Sequence, residues 1–139
     1  MENIMNIEFL NKSYNESFAR MVAAAFVTGM NPTVEELAEI KTAISEAVTN
    51  AIIHGYDKMI GMVRMEGRIH GNTVEFVVSD NGCGIENVTL AREPLYTGKP
   101  ELERSGMGFA IMESFMDTLE VDSHIGVGTR VKMTKVIGK

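Results

Sequence analysis

Cysteine and tryptophan are nearly absent from this chain of 139 residues, which has one cysteine, Cys83, and no tryptophan. A single cysteine allows no internal disulfide and no zinc site built from several cysteines, so we expect a cytoplasmic protein. No run of about 18 apolar residues occurs, so no membrane span is indicated. Basic residues are also in deficit, with 13 Lys+Arg against 19 Asp+Glu, and a general DNA binder would need clustered cations.

The rest of the composition is that of an ordinary globular domain. A chain of this length buries about two-thirds of its unfolded surface on folding, so its core needs no covalent staples. It is 45% hydrophobic and shows no internal repeat, low-complexity stretch or interdomain linker. We therefore expect a single domain over residues 1–139 that binds a small ligand, another protein or both.

Hydrophobic periodicity and turn residues predict the order strand, helix, helix, two strands, loop, helix, two strands. The first helix is expected to begin with a capping box from Ser13 to Glu16 and to end at Gly29. The second is expected to begin with a capping box from Thr33 to Glu36 and to end near Gly55. Its apolar stripe consists of Leu37, Ile40, Ile44, Val48, Ala51 and Ile52.

The predicted strands adjoin one another in sequence. Met62 to Ile69 and Thr73 to Ser79 are predicted to form a hairpin that turns at Gly71-Asn72, and two more strands are expected near 119–124 and 129–137. Neighbouring strands at hairpin distance favour an antiparallel or mixed sheet. The predicted fold is therefore α+β, a two-layer α/β sandwich with a mixed, mostly antiparallel sheet and helices on one face.

Polar residues recur at helical spacing beside the stripe of the second helix. Glu46, Asn50 and His54 follow one another at intervals of four residues and so share one face. A carboxylate and a carboxamide on a rigid helix can act as a general base and as an oxygen ligand for Mg²⁺. The same row is typical of a solvated helix edge, and these residues alone leave both interpretations open.

Two glycine-containing loops are further candidates. Asp80, Gly82 and Gly84 would place a fixed acceptor beside a backbone that a flat ring can approach, although Asp-Asn-Gly is also ordinary turn chemistry. Gly106 and Gly108 precede the third helix, where backbone N–H groups and the helix dipole can face an anion. The alternative there is a flexible helix start, and neither the dinucleotide fingerprint nor the P-loop fits.

A long loop and a hydroxyl complete the set. The segment 86–105 contains two prolines, has little periodicity and is long enough to act as a functional lid. Thr129 begins the last strand just after Gly126 and Gly128. Threonine at such a position is most often explained by its β-propensity.

The order and spacing of these elements resemble the Bergerat-fold (GHKL) ATPases, the superfamily of gyrase, Hsp90, histidine kinases and MutL. The resemblance rests on an E-x-x-x-N helix, a D-x-G-x-G loop, a long loop, a G-x-G helix entrance and a G-T-x-V strand. The stretches Ser45 to Tyr56 and Lys99 to Phe109 closely resemble the family of bacterial sporulation anti-sigma F factors, which are serine-protein kinases. The stress-response anti-sigma kinases are the nearest alternative.

The resemblance implies a role for each matching residue. Glu46 would be the general base, and Asn50 would coordinate Mg²⁺. Asp80 would accept the adenine amino group, Thr129 would close the adenine side, and about 86–105 would be the ATP lid. The residues implied to bind ATP or ADP are Asn50, His54, Asp80, Gly82, Gly84, Lys99, Arg104, Ser105, Gly106, Met107, Gly108, Phe109 and Thr129.

The resemblance also implies partners. Members of the family are homodimers that bind a sigma factor when ATP is loaded and phosphorylate a small anti-anti-sigma protein on serine. Their first helix supplies partner contacts that correspond here to Glu16 and Arg20, although an intrahelical salt bridge explains the same pair. Neither direct DNA binding nor a membrane is expected.

Two other functions stay open. One is a nucleotide-dependent protein-binding module without phosphate transfer. The other is a histidine kinase catalytic domain, which is disfavoured because the sequence shows no coiled-coil segment with a phosphoacceptor histidine.

Overall fold

Five strands form one antiparallel sheet in the computed structural model, which describes residues 2–55, 59–82, 92 and 108–138, with the backbone alone for 54 and 55. The strands are β1 (Glu2–Leu10), β2 (Met62–His70), β3 (Thr73–Asp80), β4 (Thr118–His124) and β5 (Gly128–Val136). Their order in the sheet is β1-β2-β3-β5-β4, and all four neighbouring pairs are antiparallel. The predicted hairpin between β2 and β3 is confirmed.

Helices cover one face of this sheet. They are α1 (Asn15–Val27), α2 (Val34–Asn50) and α3 (Gly108–Phe115). Met65, Val78 and Val131 lie in register on three adjacent strands and belong to one core cluster with buried residues of all three helices. The predicted α+β sandwich is therefore confirmed, and its sheet is antiparallel throughout the described strands. Among the described helices, none is long and apolar enough to cross a membrane.

The two predicted capping boxes have different outcomes. Thr33 Oγ1 accepts a hydrogen bond from the Glu36 N–H at 3.0 Å, and the Glu36 carboxylate accepts one from the Thr33 N–H at 2.9 Å, as predicted. The box predicted from Ser13 to Glu16 is wrong, because the N-cap of α1 is Tyr14 and the Glu16 N–H donates to the backbone carbonyl of Ser13 at 3.3 Å. The Glu16 carboxylate lies beside the Arg20 guanidinium instead, 3.5 Å away.

The end of the first helix also differs from the prediction. Beyond α1 the chain continues through Gly29 in a 3₁₀ turn, Thr28–Met30, so Gly29 is not the cap. The residue in the left-handed conformation is Asn31, with a φ of 52°. Asparagine tolerates this conformation better than most residues because its short polar side chain can hydrogen-bond locally. Asn31 therefore takes the place predicted for the glycine.

The second helix changes its geometry after Asn50. It continues as a π-helical turn, Ala51–Gly55, which has more residues per turn than an α-helix. Glu46 and Asn50 lie within α2 and share one face, as predicted. The backbone at His54 lies within this π-helical turn, but the side chain of His54 lies outside the described part of the chain, so its place in the predicted row stays a prediction.

Candidate functional site

The first part of the site lies where α2 meets the start of α3. Glu46 and Asn50 are one turn apart near the C-terminal end of α2, and both face Gly108, the first residue of α3. A β-carbon at position 108 would lie 3.2 Å from Glu46 Oε2 and 3.2 Å from Asn50 Nδ2. Glycine therefore lets α3 begin against both polar groups, and residues from two separate motifs form one cluster.

The start of α3 adds a positive electrostatic end to this cluster. The first N–H groups of a helix have no partner within it, and the aligned peptide dipoles place about half a positive charge there. Gly108 is buried and brings this end beside the Asn50 carboxamide. The cluster thus combines an anion-binding helix start, an oxygen ligand for a cation and a carboxylate that can accept a proton.

Phe109 was also predicted to bind the ligand. Its side chain is 7% exposed and belongs to the hydrophobic core, where it packs with buried residues of α2 and the sheet. Only the backbone of Phe109 is therefore placed to contribute to the helix start.

The second part of the site is the end of β3. Asp80 is the last residue of this strand and is only 7% exposed. Its Oδ1 accepts a hydrogen bond from the Gly82 N–H at 2.9 Å, and the backbone N–H of Thr129 is a second donor to the carboxylate. Burial raises the pKa of the Asp80 carboxyl, and the two backbone donors partly oppose that shift. The result is a rigid, buried acceptor for a ligand that offers an N–H group.

Gly128 makes the close approach of β5 to Asp80 possible. Its φ is 135°, and a β-carbon there would lie 2.0 Å from the Asp80 carbonyl oxygen. Thr129, the next residue, pairs with Asp80 in the sheet, and its hydroxyl lies 2.8 Å from Ser123 Oγ. The sequence motif indicated a turn at Gly128 but not this contact, since the strand register that creates it is a tertiary feature.

The π-helical turn after Asn50 connects the two parts. It contacts both β3 and β5, the strands that carry Asp80 and Thr129. Single π-helical turns inside helices occur frequently at functional sites. The predicted residues that the structure groups are Glu46, Asn50 and Gly108 in the first part, and Asp80, Gly82 and Thr129 in the second.

The remaining predicted ligand-binding residues lie outside the described part of the chain. They are Gly84, Lys99, Arg104, Ser105, Gly106 and Met107, together with the side chain of His54. The predicted lid at 86–105 also lies outside it, except for Arg92, whose guanidinium donates to the Glu113 carboxylate of α3 at 3.1 Å. The roles of these residues and of the lid stay predictions.

A polar groove runs between α1 and α2. It has a volume of about 280 Å³ and is lined by Arg20, Ala38, Lys41, Thr42 and Ser45. Arg20 forms the i,i+4 ion pair with Glu16 that was the alternative explanation for these two residues, yet its side chain is still 37% exposed. Within the described residues, Lys41 has no ion-pair partner. The groove therefore presents positive charge on a chain whose net charge is −6.

The chemistry of the two parts fits a magnesium-bound adenine nucleotide. The Asp80 carboxylate matches the amino group of adenine, and the start of α3 matches phosphate groups. Mg²⁺ usually keeps several waters and takes few protein ligands beside the phosphates, and the Asn50 carboxamide oxygen is of the type that could be one of them. Glycine at position 108 leaves open the space between these groups that a side chain would fill.

Known proteins similar to this chain point to one family. The family model described as "Histidine kinase-like ATPase domain" matches residues 11–135. A protein named "Anti-sigma F factor" from Clostridium kluyveri is 58% identical over 135 residues, which cover 97% of this chain and 95% of that protein. Proteins of the same name from Clostridium perfringens and Thermoanaerobacter pseudethanolicus are 57% and 55% identical over 136 residues, covering 97% and 98% of this chain and 97% and 95% of their own.

A solved structure shares the fold. It contains the RsbU and RsbW domains of a Mycobacterium tuberculosis protein and matches with a TM-score of 0.71 at 20% sequence identity. The match covers 97% of this chain and 32% of the other, so this chain spans about a third of that protein's length. At this identity, the likeness is one of fold.

Proposed function

Because the chain belongs to the histidine kinase-like ATPase family, we propose that it is an ATP-dependent anti-sigma factor that inhibits a sporulation sigma factor and phosphorylates an anti-anti-sigma protein on serine. Relatives that carry the name anti-sigma F factor at 55–58% identity favour this function over that of a stress-type anti-sigma kinase. The observation that carries the proposal is the position of Gly108 against both Glu46 and Asn50. This contact brings the proposed base, the proposed metal ligand and the start of α3 close together. Phosphoryl transfer needs these three groups in one place.

The end of β3 is the proposed adenine site. The Asp80 carboxylate accepts a hydrogen bond from the adenine amino group while its own orientation is held by the Gly82 N–H. Thr129 flanks the ring from β5, with its hydroxyl oriented by Ser123. Because Asp80 is buried and fixed before the ligand arrives, little ordering is left for the binding step.

The start of α3 is the proposed phosphate site. In this role the Asn50 carboxamide would hold Mg²⁺, and the first N–H groups of α3 would donate to phosphate oxygens. The resemblance implies the same phosphate-binding role for Gly106, Met107 and Arg104. Bound Mg·ATP supplies the phosphoryl group, and ADP is the product. The role of 86–105 as a lid over this side stays a prediction.

Glu46 is the proposed general base. Its carboxylate lies beside the start of α3, on the helix face that also carries Asn50. In this role it takes the proton from the partner's serine hydroxyl as that oxygen attacks phosphorus. A rigid helix supports the carboxylate, and rigid support is what such a base needs for precise placement.

The groove between α1 and α2 supports the proposed partner contacts of Glu16 and Arg20. Both residues lie on α1, and the Arg20 side chain opens into the groove next to Lys41. Arg20 and Lys41 make this a locally positive surface on a chain of net charge −6, and such a surface suits an acidic segment of a protein partner. A cytoplasmic protein partner, rather than DNA, remains the proposed target.

An exposed apolar patch supports the proposed homodimer. Asn11 bonds the backbone of Met59 and Gly61 and so fixes a segment whose Met59 and Ile60 side chains are 71% and 70% exposed. The patch consists of these two residues with Leu10 and Met62, which are also exposed and pair across β1 and β2. Exposed apolar surface of this kind often marks an interface. Sedimentation equilibrium of wild type and Ile60→Glu tests the dimer, and a monomeric wild type contradicts it.

Phosphate transfer from γ-labelled ATP to an anti-anti-sigma protein tests the kinase. Replacement Glu46→Gln keeps the size of the side chain but removes the base, so transfer should fall by at least ~100-fold while ATP affinity changes little. The control is Glu35→Gln, an exposed glutamate in the first turn of the same helix, which should transfer at the wild-type rate.

Two outcomes decide against parts of the proposal. Wild-type transfer by Glu46→Gln removes Glu46 as the base. If the wild type transfers no phosphate but binds its partner more tightly with ATP than with ADP or without nucleotide, the protein is a nucleotide-dependent binding module instead.

A further inference from the structure

Lys135 is a buried charge to which the proposed function gives no role. Among the described residues, Asp80 and Lys135 are the two charged residues in the buried class, and Lys135 is 8% exposed. It lies on β5 in the inward-facing row that also contains Val131 and Met133. A lysine on the core face of a strand requires a partner, since an unpaired buried ammonium is very costly.

The Lys135 ammonium joins two helices. It donates a hydrogen bond to the carbonyl oxygen of Phe115, the last residue of α3, at 2.7 Å. It also lies 3.5 Å from Glu39 Oε1 of α2. A cation at a helix C-terminus satisfies a carbonyl that has no partner in the helix and opposes the negative end of the dipole.

The other end of α3 is the phosphate side of the site. Gly108 starts α3 against Glu46 and Asn50, whereas Phe115 ends it near Glu39. The two helices are therefore antiparallel. Glu46 lies about 10 Å beyond Glu39 along α2, and α3 is about 12 Å long, so the two contacts hold α3 at both ends.

A buried ion pair is poor evidence for stability, because the desolvation of both charges offsets their attraction. The best-attested use of such a group is to fix one packing register against its alternatives. Helices that pack by side-chain ridges have discrete alternatives one turn, about 5.4 Å, apart. A slip of that size would carry Gly108 away from Asn50.

We propose that Lys135 is a positioning residue, which fixes the register of α3 on α2 and thereby holds the start of α3 at the Mg·ATP phosphates. The inference rests on the proposed nucleotide site and adds to it a residue of β5 that contacts the far end of α3. It requires that the loss of the ammonium weaken nucleotide binding in the folded protein, and not only the fold.

Lys135→Met tests this role because methionine keeps the length and the apolar stem of lysine but cannot donate. Isothermal titration with Mg·ATP, at a temperature well below the unfolding transition, should show about tenfold weaker binding. Lys135→Arg, which can still donate to the Phe115 carbonyl, should recover most of the affinity. The control is Lys132→Met, a lysine on the outer face of the same strand that pairs with Glu75 and Glu120, and it should bind as wild type does.

The outcomes separate this role from a purely structural one. A lowered unfolding temperature with unchanged Mg·ATP affinity of Lys135→Met would show that Lys135 serves the fold alone and would overturn the inference. Failure of Lys135→Arg to recover affinity, or equal losses in Lys132→Met, would overturn it too. If Lys135→Met does not fold, Glu39→Gln is the substitute, because it removes only the ion pair between Lys135 and Glu39. Glu39→Gln should bind Mg·ATP severalfold more weakly than the wild type does. Wild-type affinity of Glu39→Gln would overturn the inference. A wild type that does not bind Mg·ATP refutes the proposed function itself.

Discussion

Gly108 lies against Asn50 so closely that a β-carbon at position 108 would come within 3.2 Å of the Asn50 carboxamide nitrogen. The backbone at Gly108 does not have a positive φ, so an alanine there meets no backbone strain. What glycine supplies is space for the polar ends of two side chains on α2. The site therefore depends on an absent side chain as much as on those present.

Gly108→Ala is predicted to weaken Mg·ATP binding while it changes the free energy of unfolding little. The methyl group would push the Asn50 and Glu46 side chains aside by a few tenths of an ångström, so we expect Mg·ATP affinity to fall about tenfold, or about 1.4 kcal/mol. Stability should change by less than about 1 kcal/mol, because alanine favours a helix more than glycine does. Calorimetric titration and urea unfolding measure the two effects.

The matched replacement is Gly71→Ala in the turn between β2 and β3. Gly71 has a φ of 60° and open space around it, so alanine there should cost about 1 kcal/mol of stability and leave ATP affinity unchanged. If the two alanines affect binding equally, the contact of Gly108 with α2 is not what matters.

Asp80→Asn is predicted to weaken nucleotide binding about 10- to 100-fold, because the adenine amino group loses a charged acceptor. The same variant should have a different pH dependence of stability. Burial raises the folded-state pKa of Asp80 above its unfolded value, so its contribution is greatest at acidic pH and is lost as the pH rises through the folded-state pKa. Relative to Asp80→Asn, the wild type should therefore lose free energy of unfolding between acidic and neutral pH.

Urea unfolding of both proteins across this pH range measures that difference. Asp122→Asn is a suitable control, since Asp122 is exposed on β4 and pairs with His124. A wild type that gains stability relative to Asp80→Asn as the pH rises would show that hydrogen bonds, not burial, dominate the pKa of Asp80.

Charge reversal in the groove between α1 and α2 is predicted to weaken partner binding. Arg20→Glu and Lys41→Glu should each reduce the affinity for the sigma factor or the anti-anti-sigma protein at least tenfold, with the loss greater at low salt. ATP affinity should be unchanged, because neither residue lies in the cluster at Gly108. Arg68→Glu on the outer face of the sheet makes the same charge change elsewhere, and an equal loss there would mean that net charge alone decides binding.

Local sequence patterns predicted the separate strands, helices and motifs. The tertiary contacts between these elements were not predictable from them. Thr33 and Glu36 formed their box because both partners are within four residues of each other. The same pattern failed at Ser13 and Glu16, because α1 begins at Asn15 and its N-cap is Tyr14 and not Ser13. Asp80 was recognised by its motif, but its contact with Gly128 depends on the register of β3 and β5, which no local pattern encodes.

Lys135 and the π-helical turn show a second reason why the sequence did not predict part of the structure. The alternation of β5 places Lys135 on the core face, and a charge is tolerated there because of the carbonyl end of α3, 20 residues earlier, and the Glu39 carboxylate of α2. After Asn50 the sequence continues with good helical periodicity, so nothing in it predicts the change to a π-helical turn. Both features are set by tertiary packing.

The pairing of β1 with β2 has a consequence for how the chain folds during synthesis. Glu2 pairs with His70 and Leu10 with Met62, so β1 leaves the ribosome some 60 residues before β2, its partner in the sheet. The hairpin of β2 and β3, in contrast, closes across two residues as soon as it is made. During that interval Ile7 and Phe9 are uncovered on a strand with open edges, which is the kind of transient surface that aggregates. The chain's yield in cells should therefore depend on how fast β2 is synthesised, independently of the stability of the finished fold.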